Sequence, residues 1–369
     1  MRRLRILTWH VHGSYLYYLS SAGHDFVLPR RRDGSPGYSG RTASFAWPGN
    51  VLEVDAEQVA RLDDIDVVLY QSRHNYEHDR LALLSERQRR LPQIYLEHDP
   101  PREHPTDTRH PVQDPNVVVV HVTAFNQLMW DNGPAPTTVI EHGVVVPEWV
   151  RYSGHLERGL VVCNHLARRG RRLGADIFTA MRRELPLDLV GMGHDEIEGG
   201  LCEVPPMELA AFAANYRFFF NPIRYTSLGL AVCEAMMVGL PIVGLATTEM
   251  VTVVENGVSG YLATEPRRLV EPMRNLLSSP AEARRLGLAA QRAASERFDI
   301  RRFARDWDEV FRAVAGVARR LEAPSAARGS AYARQRSDAA QDGTPAAGVA
   351  ARALQRSRAA HNLTQRLAP

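Results

Sequence analysis

Residues 216–262 read YRFFFNPIRYTSLGLAVCEAMMVGLPIVGLATTEMVTVVENGVSGYL. In order, the run predicts a strand, a turn, a short helix, a strand and a loop. Arg217 to Phe220 is a brief aromatic strand that stops at Asn221-Pro222. Thr226 or Ser227 supplies an N-cap for a helix from Leu228 to about Val238, which Gly239 and Pro241 then end. Ile242 to Leu245 is short and apolar throughout, as a buried strand of a parallel sheet requires. The first turn of such a helix offers unpaired backbone N–H groups and a partial positive charge. Gly229 lets a ligand come close to that backbone, so the place suits a phosphate or diphosphate. Glu234 falls about two turns in, on the face of Ser227, where a carboxylate accepts hydrogen bonds from ribose hydroxyls. A helix packed in any α/β sheet, with one solvated Glu, fits the bare pattern equally well.

Two pieces of this stretch, SLGLAVCEAMMVGLPIV (227–243) and ENGVSGYL (255–262), resemble the donor-binding signature of retaining GT-B glycosyltransferases of the family 4 type. That family carries two glutamates spaced E-x7-E before a G-x-P-V/I-V strand, followed by an E-x-G-x-x-G-x-L loop. Glu234 stands at the second glutamate, which in the family holds the nucleoside ribose. Thr226 stands at the first, which in the family contacts hydroxyls of the donor sugar, so this departure leaves the sugar and the activity itself open. The resemblance implies an α/β chain of two Rossmann-like domains facing a cleft, with transfer from a nucleotide-sugar donor and retention of configuration. It implies donor contacts at Gly13, Arg169, Gly191, Thr226, Ser227, Leu228, Gly229, Leu230 and Glu234. His98 and Arg169 are the catalytic residues it implies. No metal and no cofactor beyond the donor is expected.

Composition sets the wider bounds. A chain of 369 residues with 44% hydrophobic content is long enough for two domains with full cores. No apolar run reaches the length of a membrane span, and the opening MRRLRILTW reads as a first strand. The 3 cysteines show no metal-ligand spacing, which points to a reducing cytoplasm. A net charge of +3 is too small to imply nucleic acid. All 45 basic residues are arginine, so any side-chain cation on a phosphate is a guanidinium, whose planar fork suits bidentate binding.

Along the chain, Leu4 to Thr8 reads as a strand, Tyr15 to Ser21 as a helix and Gly23 to Leu28 as the next strand. This is a Rossmann-like opening with Gly13 in the loop, and His10 and His12 at the strand's C-terminal end. Residues 29–50 read as a polar loop, whose arginines beside Tyr38 and Phe45 suit an anionic acceptor or a membrane surface. Asp79 to Arg90 predicts an amphipathic helix. A strand at Gln93 to Leu96 leads into a loop holding His98, His104 and His110, read as an active-site rim, with a metal site as the other reading. Strands follow at Asn116–Val122 and Thr137–Ile140.

A second domain begins near Gly159 to Cys163. In the family the loop after this strand has an Arg and then a Lys-Gly on the donor diphosphate. Arg169-Gly170 matches the Lys-Gly, Asn164 or His165 stands at the Arg, and Arg168 or Arg171 is available to compensate. Arg224 is a further candidate for the leaving diphosphate. Leu187 to Val190 leads into Gly191, and helices are predicted over Arg267–Leu277, Pro280–Arg297 and Ile300–Arg320. The expected division is an acceptor domain over 1–148, a donor domain over 149–302, a helix over 303–322 returning to the first domain, and a disordered Ala/Arg-rich tail over 323–369. Acceptors in view are a glycan, a lipid-linked sugar or a small molecule, with peripheral membrane contact possible. Two rival readings share this architecture: a non-catalytic nucleotide-binding subunit, and a sugar-nucleotide epimerase or phosphorylase.

Overall fold

A computed structural model describes residues 2–322 of the chain. The tail expected to be disordered lies outside the described residues. Short runs of β-branched residues buried on both faces build two sheets, every pairing in them parallel. The first sheet holds β1 (Arg5–Thr8), β2 (Asp25–Arg30), β3 (Val51–Asp55), β4 (Val67–Tyr70), β5 (Gln93–Glu97), β6 (Val117–His121) and β7 (Thr137–Val139), in the order β3-β2-β1-β4-β5-β6-β7. The second holds β8 (Leu156–Val162), β9 (Leu187–Val190), β10 (Gly200–Cys202), β11 (Tyr216–Asn221), β12 (Ile242–Leu245) and β13 (Gly260–Ala263), in the order β10-β9-β8-β11-β12-β13. Strand order reverses beside β1 in one sheet and beside β8 in the other. In doubly wound sheets that reversal opens a crevice at the C-terminal strand ends, where ligands bind.

The last helix, Ile300–Glu322, crosses back to the first sheet. Phe303, Trp307, Val310 and Phe311 form a buried stripe at helical spacing. The Trp307 indole N–H donates to the Tyr15 hydroxyl at 3.1 Å, Phe311 meets His24 edge-on at 5.5 Å, and Asp308 lies 3.1 Å from His24. The stripe therefore ties this helix to the opening β1–helix–β2 unit.

One expectation fails locally, and one strand, β3, had no reading in the sequence. The helix predicted over Asp79–Arg90 is broken into a π-helical turn, Asn75–Asp79, a short helix, Arg80–Leu83, and a separate turn, Glu86–Arg89. Ser85 and Gln88 close a capping box that starts the last turn afresh. Asp79 is buried, accepting from Tyr38 at 2.6 Å and Asn75 at 2.8 Å, and so does not open a solvated helix. The strand β3, with Val51 alone fully buried, stands at the sheet edge directly after the polar loop.

Candidate active site

The chain leaves β11 at Asn221 and enters the helix Leu230–Val238. Its N-cap is Gly229 in extended conformation, and no side chain caps it, so the predicted capping by Thr226 or Ser227 from a start at Leu228 is corrected. The residues before it are held through their carbonyls instead. Thr248 donates to the Ser227 carbonyl at 3.3 Å, and His142 Nε2 donates to that of Leu228 at 2.8 Å. Ser227 and Leu228 are thus buried behind the site. Thr248 does this at φ 51, a costly conformation for a β-branched residue.

The uncapped first turn opens on a cleft of about 500 Å³ between the two sheets. Thr226, Gly229, Leu230 and Glu234 line one wall. A Cβ on Gly229 would meet nothing within 4 Å, so the backbone there is bare toward the cleft. From the first sheet's side come His10, Gly13, Ser14, Thr42, Ser44 and Phe45. At Gly13 a Cβ would sit 2.7 Å from the Phe45 ring, which fixes how closely the 42–47 segment approaches.

A third wall joins the loops after β8 and β9. Gly191, at φ 138, and Arg169 line it with Asn164 and Met192. Asn164 Oδ1 accepts the Met192 N–H at 2.9 Å, and the His165 N–H donates to the Met192 carbonyl at 2.7 Å, so the two loops are hydrogen-bonded to each other. Gly170 breaks the helix Leu166–Leu173 with φ 56 and ψ −141, directly after Arg169. Among the described residues Arg169 has no ion pair, whereas Arg168 pairs with Glu196 and Arg171 with Asp176. Asp176 also holds Arg224 at 2.6 Å. Arg168 thus has a carboxylate of its own, Arg171 and Arg224 share one, and none of the three is among the residues that line the cleft. Arg172 is different: burial, with Arg102 and Arg169 nearby, lowers its pKa, an environment that an anion relieves.

His98 stands just past the C-terminal end of β5. Its Nε2 lies 3.3 Å from Gln71 Oε1. The Gln71 amide nitrogen donates to Thr8 Oγ1 at 2.9 Å and to the Trp9 carbonyl, which only accepts, at 2.8 Å. The oxygen therefore faces His98, which must donate from Nε2 and carry its lone pair on Nδ1. Burial, with His12 and His142 nearby, holds its pKa well below the usual value, so the ring is neutral at pH 7. The His12 ring lies 4.0 Å from it. His98, His104 and His110 do not converge as a metal site would need. His104 is exposed in its loop, and buried His110 lies 3.2 Å from Glu97.

Glu234 is partly buried, and its Oε1 accepts the Tyr18 hydroxyl at 2.7 Å. Burial raises its pKa, and the Tyr18 bond opposes that rise. Tyr18 and Thr248 had no signal in the sequence. Their partners lie tens to hundreds of residues away, and no spacing rule reaches that far.

Residues 180–279 match the family described as Glycosyl transferases group 1. A search of curated proteins by sequence finds no match. A sucrose-phosphate synthase from Thermosynechococcus elongatus superposes with TM-score 0.63 at 14% identity, covering 84% of this chain and 98% of that one. A glycosyltransferase from Rickettsia africae gives 0.60 at 12%, covering 85% and 99%. Anabaena HepE, in complex with UDP and glucose, gives 0.59 at 14%, covering 84% and 99%. The fold is GT-B, as the resemblance implied. With the group 1 segment on its second sheet, the chain is a glycosyltransferase of that architecture.

Proposed function

We propose that the protein transfers a glycosyl group, with retention, from a nucleoside diphosphate sugar held on the second sheet to an acceptor presented from the first. The observation that carries this reading is the convergence, on one cleft, of an uncapped helix N-terminus, a cation without an internal partner and a carboxylate beside them. The helix N-terminus and Arg169 suit the diphosphate, and Glu234 suits the ribose hydroxyls. As the sugar–phosphate bond breaks, negative charge grows on the diphosphate oxygen, where these fixed donors stabilise it most. His98, held in one tautomer by Gln71, is not among the residues that line the cleft, and its place near the transferring sugar rests on the family resemblance. Binding of UDP by Anabaena HepE supports a uridine donor. No helix among the described residues is long and apolar enough to cross a membrane. Three free cysteines fit a reducing cytoplasm, where such donors are made.

Calorimetry with UDP, GDP and ADP tests the donor assignment. One should bind, and Glu234→Gln should weaken it by about 1.5–3 kcal/mol, the worth of a charge-assisted hydrogen bond. Unchanged affinity in the variant would remove Glu234 from the site. Because Thr226 stands where the family has a carboxylate, nucleotide binding without any turnover would favour the non-catalytic reading.

A further inference from the structure

We infer that the ribose end of this site is built from both halves of the molecule, with Tyr18 as the positioning residue that fixes Glu234 for the nucleoside. The inference rests on the donor reading above and adds a partner that reading lacks. Tyr18 lies on the helix Gly13–Leu19, which follows the first strand, while Glu234 belongs to the helix that opens on the cleft. The two residues are 216 positions apart and their bond crosses between the halves. A tyrosine hydroxyl has one proton. It is given to Glu234 Oε1, 2.7 Å away, since a carboxylate oxygen accepts.

The geometry leaves the two carboxylate oxygens unequal. Oε1 is occupied by Tyr18, and Oε2 receives no hydrogen bond from the described residues on a side chain that lines the cleft. A glutamate held at one oxygen loses most of its rotamer freedom before a ligand arrives, so a hydroxyl at the other oxygen binds without that ordering cost. Parting the halves would withdraw Tyr18 and release Glu234. Nucleotide affinity and closure are then linked, each favouring the other.

The test uses whichever of UDP, GDP and ADP binds best, together with its 2′-deoxy counterpart, measured by calorimetry on the full chain. Four proteins are compared: wild type, Tyr18→Phe, Glu234→Ala and the double variant. Tyr18→Phe keeps the buried ring and removes the proton. It should weaken the ribonucleotide about tenfold and the deoxynucleotide less, and the double variant should bind like Glu234→Ala. A purely structural Tyr18 would weaken both nucleotides equally or add to the effect of Glu234→Ala, and either result overturns the inference. If Glu234→Ala alone changes nothing, or if wild type binds no nucleotide, the donor reading itself has failed and the inference falls with it.

Discussion

Replacing Arg169 with alanine separates a phosphate ligand from a merely basic surface, because its loop contains its own controls. Arg168 and Arg171 are 69% and 77% exposed and each already pairs with a carboxylate. Removing either deletes a solvent-screened pair worth about 0–1 kcal/mol. Arg169 lines the cleft without such a partner, one residue before the glycine kink that aims it. Its loss removes a donor from the oxygen on which charge develops. Removing a donor of that kind costs about 3–4 kcal/mol, a hundredfold or more in turnover. Arg169→Lys should recover part of this, since a point charge replaces a two-pronged contact. Arg172, partly buried beside Arg169, leaves the control group and should fall between the extremes. The assay is release of nucleoside diphosphate from the donor by each single variant at two salt concentrations. Equal, mild, salt-screened losses at positions 168, 169 and 171 would refute the reasoning.

The pH dependence of stability follows from buried neutral histidines. Burial holds His121 and His142 down to about 4, against about 6.5 in an unfolded chain. Between those values the unfolded state takes up protons that the folded state refuses, so stability falls as pH drops through that window, by up to roughly 3 kcal/mol per group. Thermal unfolding followed from pH 7.5 to 5 should show a falling midpoint, and a flat profile would contradict the assignment. Trp307→Ala should destabilise by about 3–5 kcal/mol, since a fully buried indole and its bond to Tyr15 are lost together. Denaturant titration showing a loss below about 1 kcal/mol would mean that the last helix packs more loosely than described.

The architecture was legible because parallel sheets bury both faces of their strands, so VVVV at 117–120 and IVGL at 242–245 stand out as short apolar blocks. Where burial is one-sided the signal fades, and β3 went unseen for that reason. The helix expected over Asp79–Arg90 shows the converse limit. Its amphipathic spacing was real, but a capping box at Ser85 and the inward hydrogen bonds of Asp79 outweighed it. Of the residues singled out after strand ends, Gly13, Arg169, Gly191 and Thr226 line the cleft, and His98 is not among its lining. The sequence had no access to what holds them. Gln71 sets the His98 tautomer from 27 positions away, and His142 holds the Leu228 carbonyl from 86. It also had no means of telling that Arg168 was already paired, because Glu196 meets it through the fold.

The central claim is sugar transfer out of a nucleoside diphosphate sugar, and the most direct measurement follows both products at once. Purified protein is incubated with UDP-, GDP- and ADP-sugars, with and without a mixture of simple sugar acceptors, while proton NMR follows the anomeric signals. The account predicts that one donor yields free nucleoside diphosphate, faster with acceptor, and a product whose anomeric configuration matches that of the donor. Absence of nucleotide release from every donor, by a protein that also binds none of the three diphosphates, would contradict it.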